Sequence, residues 1–544
     1  MLVTAPAASA AAPIMPLSEV ERGMRCTGLS VIKGTEVSSF DVEILDVIAA
    51  EAGLSSARIL VRVSGPAVDQ TGIGPGFSGS PVICEGRNAG AISEGLGEYG
   101  NKTALATPIE EMLHDRPPSP TAARRDPALL RAARPLGTPL TVSGLSGPAA
   151  AAVRVAARRA GQPLLIAPAG PASGYAPVEL RPGSAVSASI STGDLALGAV
   201  GTVTYRDGED IWAFGHSFEG LGRRDLFLQD SYVYAVIQNP LGVPDLGAMT
   251  YKLASTDGHL HGAVTQDGND AIAGKVGPRP RSFPLRVVAR NRAGEVVALH
   301  SLLADERHLG FGAGLSFVAP LGVTQALGRL MRDFGPVTFR MCAHFRVNGR
   351  RRPLGFCNPY FSVDDAVADL SEAGFALDFF DLSALSIQRA SVSLRARAGV
   401  KQDVLIRARG PRRVRKGKRF RVRLTVQRRR SGRRQISVPV RVPGSVRPGR
   451  HRLTLRGTGS GFTEDALIDE LIAVLEGALG PGGGPSEPRS IPQLARELRT
   501  LRRKTGIQAR FGRRPPRFVR RSNVVSYEGS VRLRVRVMPR RARR

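Results

Sequence analysis

Thr71-Gly-Ile-Gly-Pro-Gly-Phe-Ser-Gly-Ser-Pro-Val-Ile83 is the stretch from which the rest of the chain is read. Gly76, two residues before Ser78, lets the backbone turn sharply and brings two N–H groups to one side. Gly79 removes the side chain that would crowd an incoming carbonyl. Gly-x-Ser-Gly is what a nucleophilic serine with a backbone oxyanion hole requires, and the N–H groups of Gly76 and Ser78 would be its donors. The same residues also suit a plain Gly/Ser turn between strands. The flanks favour the first reading: Pro81-Val-Ile-Cys84 is an apolar run, 85–88 a turn, and 89–93 a second run, so the serine precedes a hairpin.

Working outward, residues 17–115 carry alternating or apolar runs at 28–32, 40–48, 57–63, 81–84, 89–93 and 103–107, separated by turn residues. Six short strands at that spacing predict a small antiparallel barrel. Residues 116–179 read as a Pro/Arg/Ala-rich linker followed by a helix over 147–161, with Pro148 in its first turn and Gly161 closing it. Residues 180–384 are strand-rich again. Ala199-Val-Gly-Thr-Val-Thr-Tyr205 alternates, 206–210 is a turn, and Ile211-Trp-Ala-Phe-Gly-His216 returns as a strand. Helices are predicted over 321–334 and 364–373.

Taken together, Gly76-Phe-Ser-Gly-Ser-Pro81, Gly201-Thr-Val-Thr204 and Ala213-Phe-Gly-His216 resemble the serine and histidine segments of the SpoIVB-type serine peptidases. The resemblance covers about half of the chain, chiefly 20–115 and 195–290. It implies an endopeptidase with Ser78 as nucleophile, rather than Ser80, and His216 as general base. It also implies two trypsin-like small barrel halves that share a cleft. Imidazole titrates near neutrality, so it can take a hydroxyl proton at physiological pH.

Three features depart from the family. The histidine segment follows the serine segment instead of preceding it, which a two-barrel site tolerates because triads are defined by geometry. No PDZ module is recognisable. The family's aspartate before the serine loop is replaced by Ser64, which leaves Asp69, Asp225 and Asp267 as candidate third members, or a Ser–His dyad. Loss of that acid motivates the alternative, an inactive protease-like envelope protein used for binding or scaffolding. His259 and His261 lie in a polar turn without an acid at ligand spacing, so no metal or other cofactor is expected.

Residues 385–460 are period-two sequence with arginine on one face and Val or Leu on the other, predicting an Ig-like β-sandwich. Residues 461–544 follow as two helices (463–479 and 490–504), a Gly/Pro-rich linker, a strand at 531–537 and a basic tail. The fold class expected is thus mainly β with short helices.

The net charge of +31 is unevenly distributed. Residues 385–544 hold 43 Lys and Arg against 9 Asp and Glu, while the preceding residues are close to neutral. A charged strand face with few aromatics argues against nucleic acid as partner. It leaves a solvated face, or an anionic cell-wall polymer or membrane surface, beside the protein or peptide substrate.

The four cysteines include no CxxC pair. Cys342 and Cys357 flank a turn at Asn348-Gly349, and Cys26 and Cys84 fall in strands of one unit, so two disulfides or four buried thiols are the alternatives. The Ala-rich lead over 1–16 has the Ala-x-Ala form of a signal-peptide end, which predicts a secreted or envelope-associated protein.

Overall fold

The computed structural model describes residues 12–49, 57–96, 100–113, 134–135, 140–161, 164–167, 174–238, 250–306, 314–332, 337–378, 380, 385–428, 431–459, 466–479 and 490–539. Most of the Ala-rich lead, much of the 116–145 linker and the Gly/Pro-rich linker at 480–488 lie outside these residues. The protein is mainly β.

The first unit holds six strands: β1 (Arg25–Val31), β2 (Val37–Ile48), β3 (Arg58–Ser64), β4 (Pro81–Cys84), β5 (Arg87–Gly95) and β6 (Thr103–Pro108). They pair in the order β4-β1-β2-β3-β6-β5, and β4 also pairs with β5, so the sheet closes on itself. Alternation puts Val42, Ile44, Ile59, Val61 and Val63 inside, with Phe77 of the serine loop among them. Closure leaves no long free edge.

The second unit contains a second closed ring. Its strands are β7 (Ala185–Gly193), β8 (Ala196–Asp207), β9 (Asp210–Ala213), β10 (Gly222–Asp230), β11 (Leu260–Asp267) and β12 (Ile272–Val276). The order is β7-β10-β11-β12-β9-β8, and β7 pairs back onto β8. From β7 the same sheet runs on into five more strands. These are β13 (Ser282–Arg290), β14 (Val296–Ala304), β15 (Val337–Val347), β16 (Leu354–Tyr360) and β17 (Ile387–Ala398). Helices Gly147–Arg159, Leu315–Met331 and Asp364–Asp378 bury their apolar faces in its core. The helix expected over 321–334 begins earlier, at Leu315, so Pro320 lies within it.

β17 falls in the stretch expected to open the sandwich. It is instead a central strand of the large sheet, antiparallel to β15 and parallel to β13. Period-two alternation fixes which face is buried but not which strand is the neighbour. The C-terminal unit is made of a four-stranded and a five-stranded sheet around one core of Val422, Leu424, Val438, Leu453 and Val535. Strands Gly506–Phe511 and Ser530–Met538 complete it, while helices Ala466–Leu479 and Ile491–Thr500 pack on the large sheet's core.

All four cysteines are paired, Cys26 with Cys84 and Cys342 with Cys357. The second pair are register partners across the β15–β16 hairpin. The first joins β1 to β4, directly behind the serine loop. Among the described residues no helix is long and apolar enough to cross a membrane.

Candidate active site

The serine loop lies where the two closed barrels meet. Gly76 and Gly79 both adopt left-handed backbone (φ +95° and +90°). Two tight turns result, with Phe77 N–H donating to the Gly74 carbonyl and Ser80 N–H to that of Phe77, each at 2.9 Å. A side chain at Gly79 would sit 2.0 Å from the Thr202 carbonyl and 2.5 Å from the Phe214 nitrogen, so only glycine allows the loop to seat.

The Gly-Thr-Val-Thr strand is the seat. Thr202 N–H donates to the Ser78 carbonyl at 2.8 Å. The Thr202 hydroxyl donates to the Gly76 carbonyl at 3.1 Å and the Thr204 hydroxyl to the Gly79 carbonyl at 2.8 Å. Gly201 leaves room for the Phe214 ring. The two motifs that stood 120 residues apart in the resemblance are thus bonded to each other.

β9 ends at Ala213, short of the histidine. Phe214 and Gly215 take left-handed backbone (φ +73° and +69°) and turn His216 into the seam. The Gly215 carbonyl accepts from the Thr107 hydroxyl at 2.6 Å, which ties this turn to the first barrel. His216 Nδ1 lies 2.6 Å from the Ser217 carbonyl. A carbonyl only accepts, so in the neutral ring Nδ1 carries the proton and Nε2 presents its lone pair. Nε2 is buried and has no hydrogen-bond partner among the described residues. Burial lowers the imidazole pKa, against smaller opposing effects of the Ser217 carbonyl, Glu94 and Asp267.

Ser78 is fully buried and its hydroxyl is not hydrogen-bonded to this imidazole. The Gly76 N–H donates to no acceptor among the described residues.

None of the three candidate acids hydrogen-bonds to His216. Asp69 is exposed and paired with Lys102 at 3.0 Å. Asp225 accepts from the Arg281 backbone at 3.2 Å and from its side chain at 3.3 Å. Asp267 is buried and accepts from the backbone N–H groups of Phe218 and Glu219 at 2.7 and 2.8 Å, and from Arg224 at 3.2 Å. Its place is to fix the turn that follows His216. The orienting position behind the imidazole is held by the Ser217 carbonyl. His259 and His261 both bond to Asp230, at 3.0 and 3.2 Å, with the Tyr175 hydroxyl on the same carboxylate at 2.7 Å. Burial opposes the charge on Asp230, yet these partners hold its pKa down at about 2.

One residue of the seam escaped the sequence reading. Lys252 is buried against the serine loop, its N–H donating to the Pro75 carbonyl at 2.9 Å. Its amine lies 2.6 Å from the Ser30 hydroxyl, 3.4 Å from that of Thr202 and 4.4 Å above the Phe77 ring. Ser80 donates to Ser30 at 2.9 Å and so joins the same network. Among the described residues no carboxylate accompanies the amine, and burial pulls its pKa down to about 7. The signal was present: in Tyr251-Lys-Leu-Ala254 the lysine shares the inward face with Ala254.

Compared with family models, curated proteins and solved structures, the chain matches none.

Proposed function

We propose that the chain is an exported serine endopeptidase of the SpoIVB type, with the two closed barrels as trypsin-like halves. The observation that carries this reading is the seating of the Gly-x-Ser-Gly loop on the Gly-Thr-Val-Thr strand and against Phe214, two residues before a histidine whose Nε2 has no partner among the described residues. Ser78 attacks the scissile carbonyl carbon as its proton passes to His216 Nε2. The Gly76 and Ser78 N–H groups hold the oxyanion. Collapse breaks the C–N bond, and the leaving amine takes the proton from His216. Water then hydrolyses the acyl-serine by the same route. Ser78 and His216 are both buried, so substrate entry must part the barrels at the seam.

Two disulfides support export, because such bonds persist in oxidising compartments. We read the C-terminal unit as an Ig-like sandwich that keeps the enzyme at an anionic cell-wall polymer or membrane surface. The second reading, an inactive protease-like scaffold, is favoured by the full burial of Ser78 and by the missing acid behind His216.

Hydrolysis of fluorescein-casein by the wild type, Ser78→Ala and His216→Ala tests the proposal. Turnover by the wild type and a loss of at least about 1,000-fold in each variant is expected. Equal rates, or no turnover by any of the three, favour the scaffold.

A further inference from the structure

The arginines of the large sheet are not scattered. Arg340 on β15 is the register partner of Arg395 on β17, and Arg395 is the register partner of Arg290 on β13. Three exposed guanidinium groups therefore stand in one row across three adjacent strands, about 4.8 Å apart strand to strand. Like charges directly opposite one another destabilise a sheet. Two residues along β17, Arg397 faces the same side, about 7 Å further on, and donates to the Val524 carbonyl of the C-terminal unit at 3.1 Å.

This row forms one wall of a groove of roughly 950 Å³ between the large sheet and the C-terminal unit. Lys504 and Arg521 stand on the opposite wall. Among the described residues, eight cationic side chains and no carboxylate line it. Of these, Arg503 is neutralised by Asp365 and Asp369 outside the groove. Among the described residues no carboxylate pairs with Arg290, Arg340 or Arg395.

We propose that this groove binds an extended phosphate-bearing polymer. A grid of cations spaced about 5 by 7 Å suits repeated anionic groups along a chain better than one isolated phosphate. Nucleic acid fits poorly, because among the described residues the one aromatic ring lining the groove, Phe339, is buried and offers no stacking platform. Three of the cations, Arg290, Arg292 and Arg340, come from the part of the chain whose net charge is near zero, so the site is a product of the fold and not of the basic C-terminal stretch alone. The inference deepens the anionic-partner clause of the proposed function and is independent of the hydrolytic chemistry.

The test uses the full chain and inorganic polyphosphate, with phosphatidylglycerol vesicles as a second arm. Arg340→Gln/Arg395→Gln is compared with Arg421→Gln/Arg423→Gln, which removes the same charge from an exposed strand of the sandwich. Polyphosphate affinity should fall at least about tenfold in the groove variant and less than about twofold in the control. The salt dependence should be shallower only in the groove variant. Polyphosphate should also raise the melting temperature of the wild type and not of the groove variant, which is itself expected to be no less stable because the like-charge row is relieved. Equal losses in both variants, or no binding at all, would overturn the site. Groove-dependent vesicle binding tighter than polyphosphate at equal phosphate would replace the polymer with a membrane.

Discussion

Replacing Lys252 by Met probes the seam without touching Ser78 or His216. Burial pulls the amine's pKa down to about 7, against about 10.4 in an unfolded chain. Because the folded-state pKa is depressed, the unfolded state binds the extra proton between these values, and stability rises with pH across that window. The slope approaches about 1.4 kcal/mol per pH unit, so moving from pH 7 to pH 9 should add about 2 kcal/mol.

Methionine keeps the length of the side chain and abolishes the slope. It gives up the amine's contacts to Ser30 and Thr202, about 1–2 kcal/mol, but removes a desolvation cost on the order of 4 kcal/mol at pH 7. Lys252→Met should therefore be at least as stable as the wild type at pH 7 and lose the difference by pH 9. Trp212 is the single tryptophan and packs with Ala91, Met112 and Ala271 across the seam, so its emission during urea unfolding reports separation of the barrels. A wild type whose transition does not move between pH 7 and 9, or a variant that moves equally, refutes the reasoning.

Other consequences follow from the same geometry. Gly79→Ala forces a left-handed backbone and a contact of 2.0 Å with the Thr202 carbonyl. It should destabilise the seam by on the order of 3 kcal/mol or more, seen as an earlier Trp212 transition. Replacing both Cys26 and Cys84 by Ala opens a loop with a sequence separation of 58 and should cost about 4 kcal/mol in thermal unfolding, against about 3 for Cys342 and Cys357, separated by 15. The depressed pKa of Asp230 means that its stabilisation, about 2 kcal/mol, is present above pH 4 and lost as pH falls through about 2. Asp230→Asn should flatten acid unfolding over that range.

The first barrel was legible because each strand is short, alternates cleanly and is bounded by turn residues. The observed β1–β6 fall on the six expected runs within a few residues. The serine loop was legible through Gly76 and Gly79, but the histidine was expected at the end of a returning strand, and that strand stops at Ala213, ahead of the left-handed turn at Phe214 and Gly215. Three things were not. β17 has the same arginine–aliphatic alternation as the sandwich strands, so pattern alone could not assign it to the large sheet. The strands completing the sandwich lie beyond two helices and a linker, at 506–538, and non-local pairing leaves no local mark. Lys252 is one polar residue in a four-residue strand that, among the described residues, pairs only with Val233–Ile237 in a separate two-stranded sheet, and its burial depends on Gly76 and Phe77 of the first barrel's serine loop.

The most direct measurement is labelling of the intact protein with a fluorophosphonate, with the modified residue located by peptide mass spectrometry. One adduct is expected, on Ser78, lost in Ser78→Ala and slowed at least about 1,000-fold in His216→Ala. An unlabelled protein, or an adduct at Ser78 formed equally fast without the imidazole, would contradict it.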